Sequence, residues 1–467
     1  MKDIVLSEMV QDSESIARLE EESKNGEVYF KPIMRILSHK WFERLWVHQE
    51  ITLANCATAV FHYHICPFST IRGTIRVLLW GLKPSSDPAQ EISNIPPDMR
   101  ERMLRVTRPR AINWSFLELL QITRHCKCLL PHDRIFALLG LVTNEMRTRI
   151  SLDYHLSITQ LYTEVAWQII DDRKYLEYLS DAGLVYPNLQ RERLPSWVID
   201  WRNPREAQAF MYDQYQATSG WPALVKFDRT SSTLSVLGFI IDIVEKCTDI
   251  FANIKLAPSS PEQSFNSGLD LWTKRFTNYP SGCDPQMAYI RTLCGDICGF
   301  SPHPQIRLTK EDLDQCDLIF ALMRVKNANS REFVQEAVSS GDESLNLAKD
   351  IAERMLSLDM GSSEQAEDIK KKIKPLVQHI LGLIHRRQFF ISEYGYMGLG
   401  PFLLSQGDMI CLIPGCNVPL VVRKHGESHV LMGACFVWGL MDGEAFNPIV
   451  RDARSGDLSM FTELRLS

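Results

Sequence analysis

Several features that would point to a common function class are missing from this 467-residue chain. No run of about eighteen apolar residues occurs, so no membrane-spanning helix is expected. The first apolar run, Ile4-Val5-Leu6, is interrupted by Ser7 and Glu8 and is too short for a secretory core, which argues against a signal peptide. Basic charge is not in excess: 51 Lys and Arg face 57 Asp and Glu, a net charge of -6, so nucleic acid is not an expected partner. The twelve cysteines are scattered rather than arrayed. They read as free thiols in a reducing, cytoplasmic setting rather than as a disulfide framework. No internal repeat or long low-complexity tract occurs. Neither does a Gly-x-x-x-x-Gly-Lys-Ser/Thr loop, a Gly-x-Ser-x-Gly elbow or a His-Glu-x-x-His pair.

What is present has globular composition, with 45% hydrophobic and 23% charged residues, at a length that fits roughly two to four domains. Residues 8–24 are polar and acidic and read as a solvated helix. Residues 84–98 carry Pro84, Pro88, Pro96 and Pro97 and read as a loop. Phe42, Leu45, Trp46 and Gln49 recur at helical spacing, so Trp41–Glu50 reads as one helix with a packing face. Ile51–Phe61 follows as a possible strand. Ile112–His125 and Ser157–Asp171 are amphipathic. Between them, Asp133 stands as an N-cap, Ile135–Leu139 as an apolar turn and Gly140 as a stop. Leu194–Trp201 is a Pro-marked, non-helical segment with two Trp residues.

From about residue 216 the pattern turns to strands. Leu224–Phe227 and Leu234–Ile240, joined by Asp228–Thr233, form a hairpin. Residues 257–387 read as helical and mostly polar, with Leu347–Leu356 and Ile373–His385 the clearest helices. Strands return at Gln388–Ile391, Asp408–Ile413, Pro419–Arg423 and His429–Val437, separated by glycines. An isolated hairpin is marginal, so the one near residue 230 is assigned to the same β module as the tail. The fold class is α+β. An N-terminal segment (1–65) precedes a helical region (66–215), and a small barrel-like β module (216–256 and 388–467) is interrupted by a helical insertion (257–387).

Four separated blocks carry a family likeness. They are Arg44, Trp46, Gln49 and Glu50; Asp133-Arg134 leading into Phe136-Ala-Leu-Leu-Gly140; Trp197, Asp200 and Trp201; and a long set in the tail. That set comprises Arg387, Gly398, Gly400, Pro401, Gly407, Asp408, Arg423, Gly439, Gly443 and Glu444. Together and in this order they resemble fungal heterokaryon incompatibility (HET) domain proteins. Family members begin with a Leu-Ser-Tyr-x-Trp-Gly-type block and a Trp-x-Asp-(x)-x-Cys-Ile-Asn-Gln-type block, and neither occurs here. The resemblance therefore implies that only the last part of the HET domain is present, over about Met1–Phe61. It also implies that residues 1–65 are a truncated remnant of an α/β domain related to TIR domains, with activation leading to cell death when unlike hyphae fuse.

Chemical readings compete with plainer ones. Glu50 is the carboxylate on which a TIR-like, NAD-cleaving mechanism would centre, as the alternative function. A structural glutamate is the preferred reading, because the segments expected to form a pocket are missing. His125, Cys126, Cys128 and His132 match no common zinc spacing. Cys283, Cys294, Cys298 and His303 form a loose set, and His62, His64 and Cys66 share one side of a possible strand. Free thiols and solvent-facing residues account for all three, so no metal is assigned. Gly395-x-x-Gly398-x-Gly400-Pro401 lacks the following helix that a phosphate loop needs, and reads as tight turns. Asp133 and Arg134 read as a cap and an anchor for a chain end, and Trp197 and Trp201 as wedges between layers. Asp442-Gly443 reads as a turn that presents Glu444 to a partner.

The expectation is a non-enzymatic, cytoplasmic HET-family protein without cofactor. It would act in non-self recognition and programmed cell death through protein contacts, with other HET-family proteins among its partners.

Overall fold

Two units divide the chain, residues 1–161 with 201–205, and residues 162–200 with 206–467. A computed structural model describes residues 33–61, 64–80, 97–107, 115–173, 176–183, 194–203, 214–248, 268–269, 271–298, 306–310, 313, 379–380, 382–384, 386–447 and 461–467. The readings made above for residues 8–24 and 347–356, for most of 84–98 and 373–385, and for His62 and His303 fall outside them.

In the first unit, residues 33–37 are helical and lead into a 3-10 turn, Lys40–Glu43, and helix α1, Leu45–Leu53. The hairpin β1 (Thr58–Phe61) and β2 (His64–Pro67) follows, then α2 (Phe68–Trp80), α3 (Pro97–Thr107) and α4 (Phe116–Ile122). A short helical turn, Asp133–Phe136, and α5 (Asn144–Arg149) precede α6 (Ile158–Arg173), whose later residues belong to the second unit. On α2, Phe68, Ile71, Ile75 and Leu78 recur at helical spacing, as do Met99, Met103 and Val106 on α3. These stripes close over Ile33, Leu37 and Phe42 in one core. That core draws on residues from both sides of position 65.

Polar groups at the edge of this core are satisfied locally. Arg102 donates to the Leu37 carbonyl at 2.5 Å and to Glu43 at 3.4 Å, and Arg76 caps the Thr107 carbonyl at 2.8 Å. Helix α4 starts with a reciprocal Ser115–Glu118 capping box, and Ser157 and Gln160 do the same for α6.

The single helix expected over Trp41–Glu50 is interrupted. Arg44 is extended and forms a parallel bridge with Lys127, the Leu45 N–H donating to the Lys127 carbonyl at 2.9 Å. The break rephases the face: Phe42, Leu45 and Val47 are buried, whereas Trp46 and Gln49 are only half-buried. Ile51 to Leu53 is helix, not strand, and extended structure begins only at Thr58.

The second unit is built on a nine-stranded sheet. Its strands are β3 (Val225–Asp228), β4 (Thr233–Thr248), β7 (Arg387–Ser392), β8 (Met397–Pro401), β9 (Met409–Leu412), β10 (Leu420–His425), β11 (Ser428–Ala434), β12 (Phe436–Val437) and β13 (Thr462–Leu466). A separate pair is formed by β5 (Ile297–Cys298) and β6 (Ile306–Arg307). The hairpin near residue 230 is part of the large sheet, since β3 pairs with β4 and β4 pairs onward with three more strands.

Strand β4 organises this sheet. Its first half pairs with β13, Leu234–Gly238 against Thr462–Leu466; its middle pairs with β9, and its end with β7. Register shifts at Ile240/Asp242 and Val244/Lys246 bend the strand between these neighbours. Pairing passes from β4 through β13, β11, β10 and β9 and returns to β4. The architecture is therefore mixed α+β with a many-stranded C-terminal sheet.

Two sequence expectations change here. Gly398 and Gly400 lie inside β8 rather than in tight turns; only Gly395, at φ 91°, is a turn residue of that type. The cause is steric: a Cβ at Gly398 would strike the Phe390 ring, and one at Gly400 would come within 2.7 Å of Leu404. The insertion is also less polar than expected where it is described. Helix α7 (Pro285–Cys294) buries Ala288, Tyr289, Ile290, Leu293 and Cys294, and Tyr289 meets Phe389 edge-on at 5.3 Å. Trp272 donates to the Gly395 carbonyl at 2.7 Å, and Tyr279 donates to the Trp438 carbonyl at 2.8 Å.

Candidate functional site

Asp133 is the first residue of its helical turn rather than its cap. His132 holds the cap position in α conformation without a side-chain capping bond, its Nε2 lying 2.8 Å from the Leu156 carbonyl instead. The Asp133 carboxylate accepts from Tyr154 Oη at 2.9 Å and from the Leu130 N–H at 3.4 Å, so it joins two loops. Arg134 donates to the carbonyls of Thr123 and Arg124, at 3.4 and 3.1 Å, just beyond the end of α4. Gly140 sits where any Cβ would collide with the Gln49 amide, which brings the first and second motif blocks together.

The first block also borders a cavity of about 480 Å³. Phe42, Phe68 and Trp41 supply aromatic wall; Ile51, Ala57, Ala59 and Val60 supply aliphatic wall; Glu50 and His39 are among the polar lining residues. This corrects the expectation that no pocket forms around Glu50. The chain between α1 and α2 folds back as the β1–β2 hairpin, and small residues at 57 and 59 leave the space open. Arg44 is exposed beside its bridge to Lys127, and Trp46 is half-buried.

The third block is divided between the units. Trp197 is fully buried, donates to the Ser232 carbonyl at 3.0 Å and meets Phe227 edge-on. Trp201 is buried under the Arg124 guanidinium, 5.3 Å from its ring, and Asp200 is buried as well.

In the tail block most polar groups are used internally. Asp408, 1% exposed, receives both Nε and Nη2 of Arg423 at 2.7 and 2.9 Å and the Ser405 N–H at 2.8 Å. Arg423 reaches the Leu403 carbonyl at 2.8 Å, and the Asp408 bond raises its pKa. Arg387 is buried and donates to the Leu383 carbonyl. The Gly407 N–H donates to the Val244 carbonyl at 2.8 Å, and Pro401 ends β8.

The turn Gly439–Glu444 differs, because it is braced from below and open above. Arg307 lies 4.6 Å over the Tyr215 ring and donates to Asp296 at 2.9 Å, to the Gln214 carbonyl at 2.9 Å and to Asp442. Arg291 pairs with the same Asp296 and stacks 4.6 Å over Trp438. Burial raises the Asp296 pKa, and the two guanidinium groups oppose that shift. Gly439 and Gly443 take φ 91° and 84°, and the Asp442 N–H donates to Glu444 at 2.7 Å. Asp442 and Glu444 are exposed. Sequence spacing contains no sign of the Arg307 brace, which lies more than a hundred positions upstream.

Among the described residues no group of three His, Cys, Asp or Glu side chains is placed to hold a metal ion. Cys283 accepts from Trp438 Nε1 and Ser281 Oγ, both at 3.3 Å, and Cys126 and Cys294 are buried. Burial pushes the Cys411 thiol up to about 12 and raises Cys416 and Cys435 further. No described helix is long and apolar enough to cross a membrane.

Comparison with known proteins reaches the same regions. Residues 323–453 match the Het-6 β-barrel domain family, which makes this a chain carrying a Het-6-type β module. Strands β4 and β13 of the sheet lie outside the matched segment. The chain is also similar to heterokaryon incompatibility protein 6, OR allele, of Neurospora crassa, at 24% identity over 90% of this chain and 66% of that protein. It spans about two thirds of that relative's length. Both comparisons point to the heterokaryon incompatibility proteins as what this chain resembles. No solved structure matches it.

Proposed function

We propose that this protein works in heterokaryon incompatibility as a non-enzymatic, cytoplasmic protein that recognises protein partners, other HET-family proteins among them. Programmed cell death is the output it influences. The returning strand path β4–β13–β11–β10–β9 is read as a small barrel that serves as a rigid platform. The observation that carries the reading is the Gly439–Glu444 turn. Asp442, paired with Arg307, and Glu444, which accepts from the Asp442 N–H, both stay exposed, while Asp408, Arg423, Arg387 and Trp197 are spent on internal contacts. Rigidity below and exposed negative charge above suit recognition of a basic protein segment.

The test is affinity capture from fungal cells that express the chain with Glu444→Lys beside the unaltered form. The expected result is loss of HET-family partners and of the incompatibility reaction, with an unchanged melting temperature. Equal partner capture by both forms counts against the turn. Incubation of the purified chain with NAD tests the non-enzymatic reading directly. Nicotinamide release that disappears in Glu50→Ala would overturn it.

A further inference from the structure

We infer that the cavity beside α1 is a binding site for a small, flat aromatic cation. This inference is independent of the protein-contact reading, because the two involve different units. Three rings form one side: Trp41 meets Phe42 edge-on at 4.9 Å and Phe68 at 6.3 Å, and Phe42 and Phe68 are stacked at 6.4 Å. Phe42 and Phe68 are buried on the core side, so they cannot collapse into the space without emptying the core behind them. Ala57 and Ala59 are small lining residues, and about 480 Å³ holds a drug-sized or smaller molecule.

The polar groups fix the sign of the ligand. Among the described lining residues Glu50 is the carboxylate and none is lysine or arginine, while the nearby Arg72 guanidinium lies 5.4 Å over the Phe68 ring. His39 accepts from the Trp41 N–H through Nδ1 at 3.2 Å, so that nitrogen is already engaged. Aromatic faces attract cations and repel anions, and a carboxylate at the rim adds to the same preference. An amidinium or protonated aromatic amine satisfies both, its ring against Trp41 and its charge toward Glu50.

The full-length chain can be titrated by calorimetry with three probes of one shape: 4-aminobenzamidine as cation, 4-aminobenzamide as neutral form and 4-aminobenzoate as anion. The expected order is cation, then neutral form, then anion. Glu50→Gln should weaken the cation about two- to fivefold and leave the neutral probe unchanged. Ala59→Trp, which fills the space without altering charge, should remove binding of both. Circular dichroism and the melting temperature establish that each variant is folded, and Glu50 is exposed enough for its replacement to be tolerated. Anion binding equal to cation binding would overturn the inference. So would cation binding that survives both substitutions, or the absence of any heat from the cation at millimolar concentration.

Discussion

Asp408 and Glu50 are two carboxylates from two of the motif blocks, and their surroundings are opposite. Asp408 is buried and saturated by Arg423 and a backbone N–H, whereas Glu50 is exposed at the rim of a cavity. A buried carboxylate without its partner is among the most destabilising arrangements in a protein, so the first must be part of the frame. An exposed one costs little to leave unpaired and is free to meet a ligand. Residue type and motif membership are identical for the two; burial separates their roles.

Breaking the Asp408 side of this comparison should have the largest effect. Arg423→Leu strands the Asp408 charge and is expected to cost about 3 kcal/mol in urea unfolding. A loss below about 1 kcal/mol would show that Asp408 escapes to water. Next is Gly398→Val, which drives a side chain into the Phe390 ring. About 2 kcal/mol of destabilisation is expected, partly relieved when Phe390→Ala is added, and a double-mutant cycle reads the coupling.

On the Glu50 side, Gly140→Ala presses on the flexible Gln49 amide and on Leu53, whose methyl would lie 3.3 Å from the new Cβ. About 1 kcal/mol is expected, less than at Gly398 because an amide swings aside more easily than a ring in a sheet. The smallest effect concerns pH. The Lys127 hydrogen bond, with help from Arg102, holds the Glu43 carboxyl below its usual 4.5. A depressed carboxylate contributes stability above the unfolded value, and that contribution is lost as pH falls through the lower folded value. Glu43→Gln should therefore flatten the acid limb of the stability curve below about pH 4.5 and leave neutral pH nearly unchanged. Acid titration of the melting temperature checks it.

Much of the framework was legible because it rests on local rules. The helix at Phe116–Ile122 falls within the apolar spacing of Ile112–His125, and the pairing of Val225–Asp228 with Thr233–Val236 follows from the apolar runs Leu224–Phe227 and Leu234–Ile240 around a polar hexapeptide. The tail strands follow from short apolar segments between glycines. Reading failed where a distant partner decided the outcome. Arg44 is extended because Lys127 pairs with it, and Gly398 sits in a strand because Phe390 needs the room. Strand β13 is short and polar on one side, and only its place beside β4 makes it part of the sheet.

Periodicity and four motif blocks were enough to indicate an α+β protein that resembles the heterokaryon incompatibility proteins, since those signals act within a few residues of chain. Tertiary structure alone decided which charges became frame and which stayed open. It alone set Arg307 under the Asp442 turn, Arg423 on Asp408, and three rings and Glu50 around one cavity. Burial and pairing arise between segments far apart in the chain, and residue spacing along the chain does not encode them.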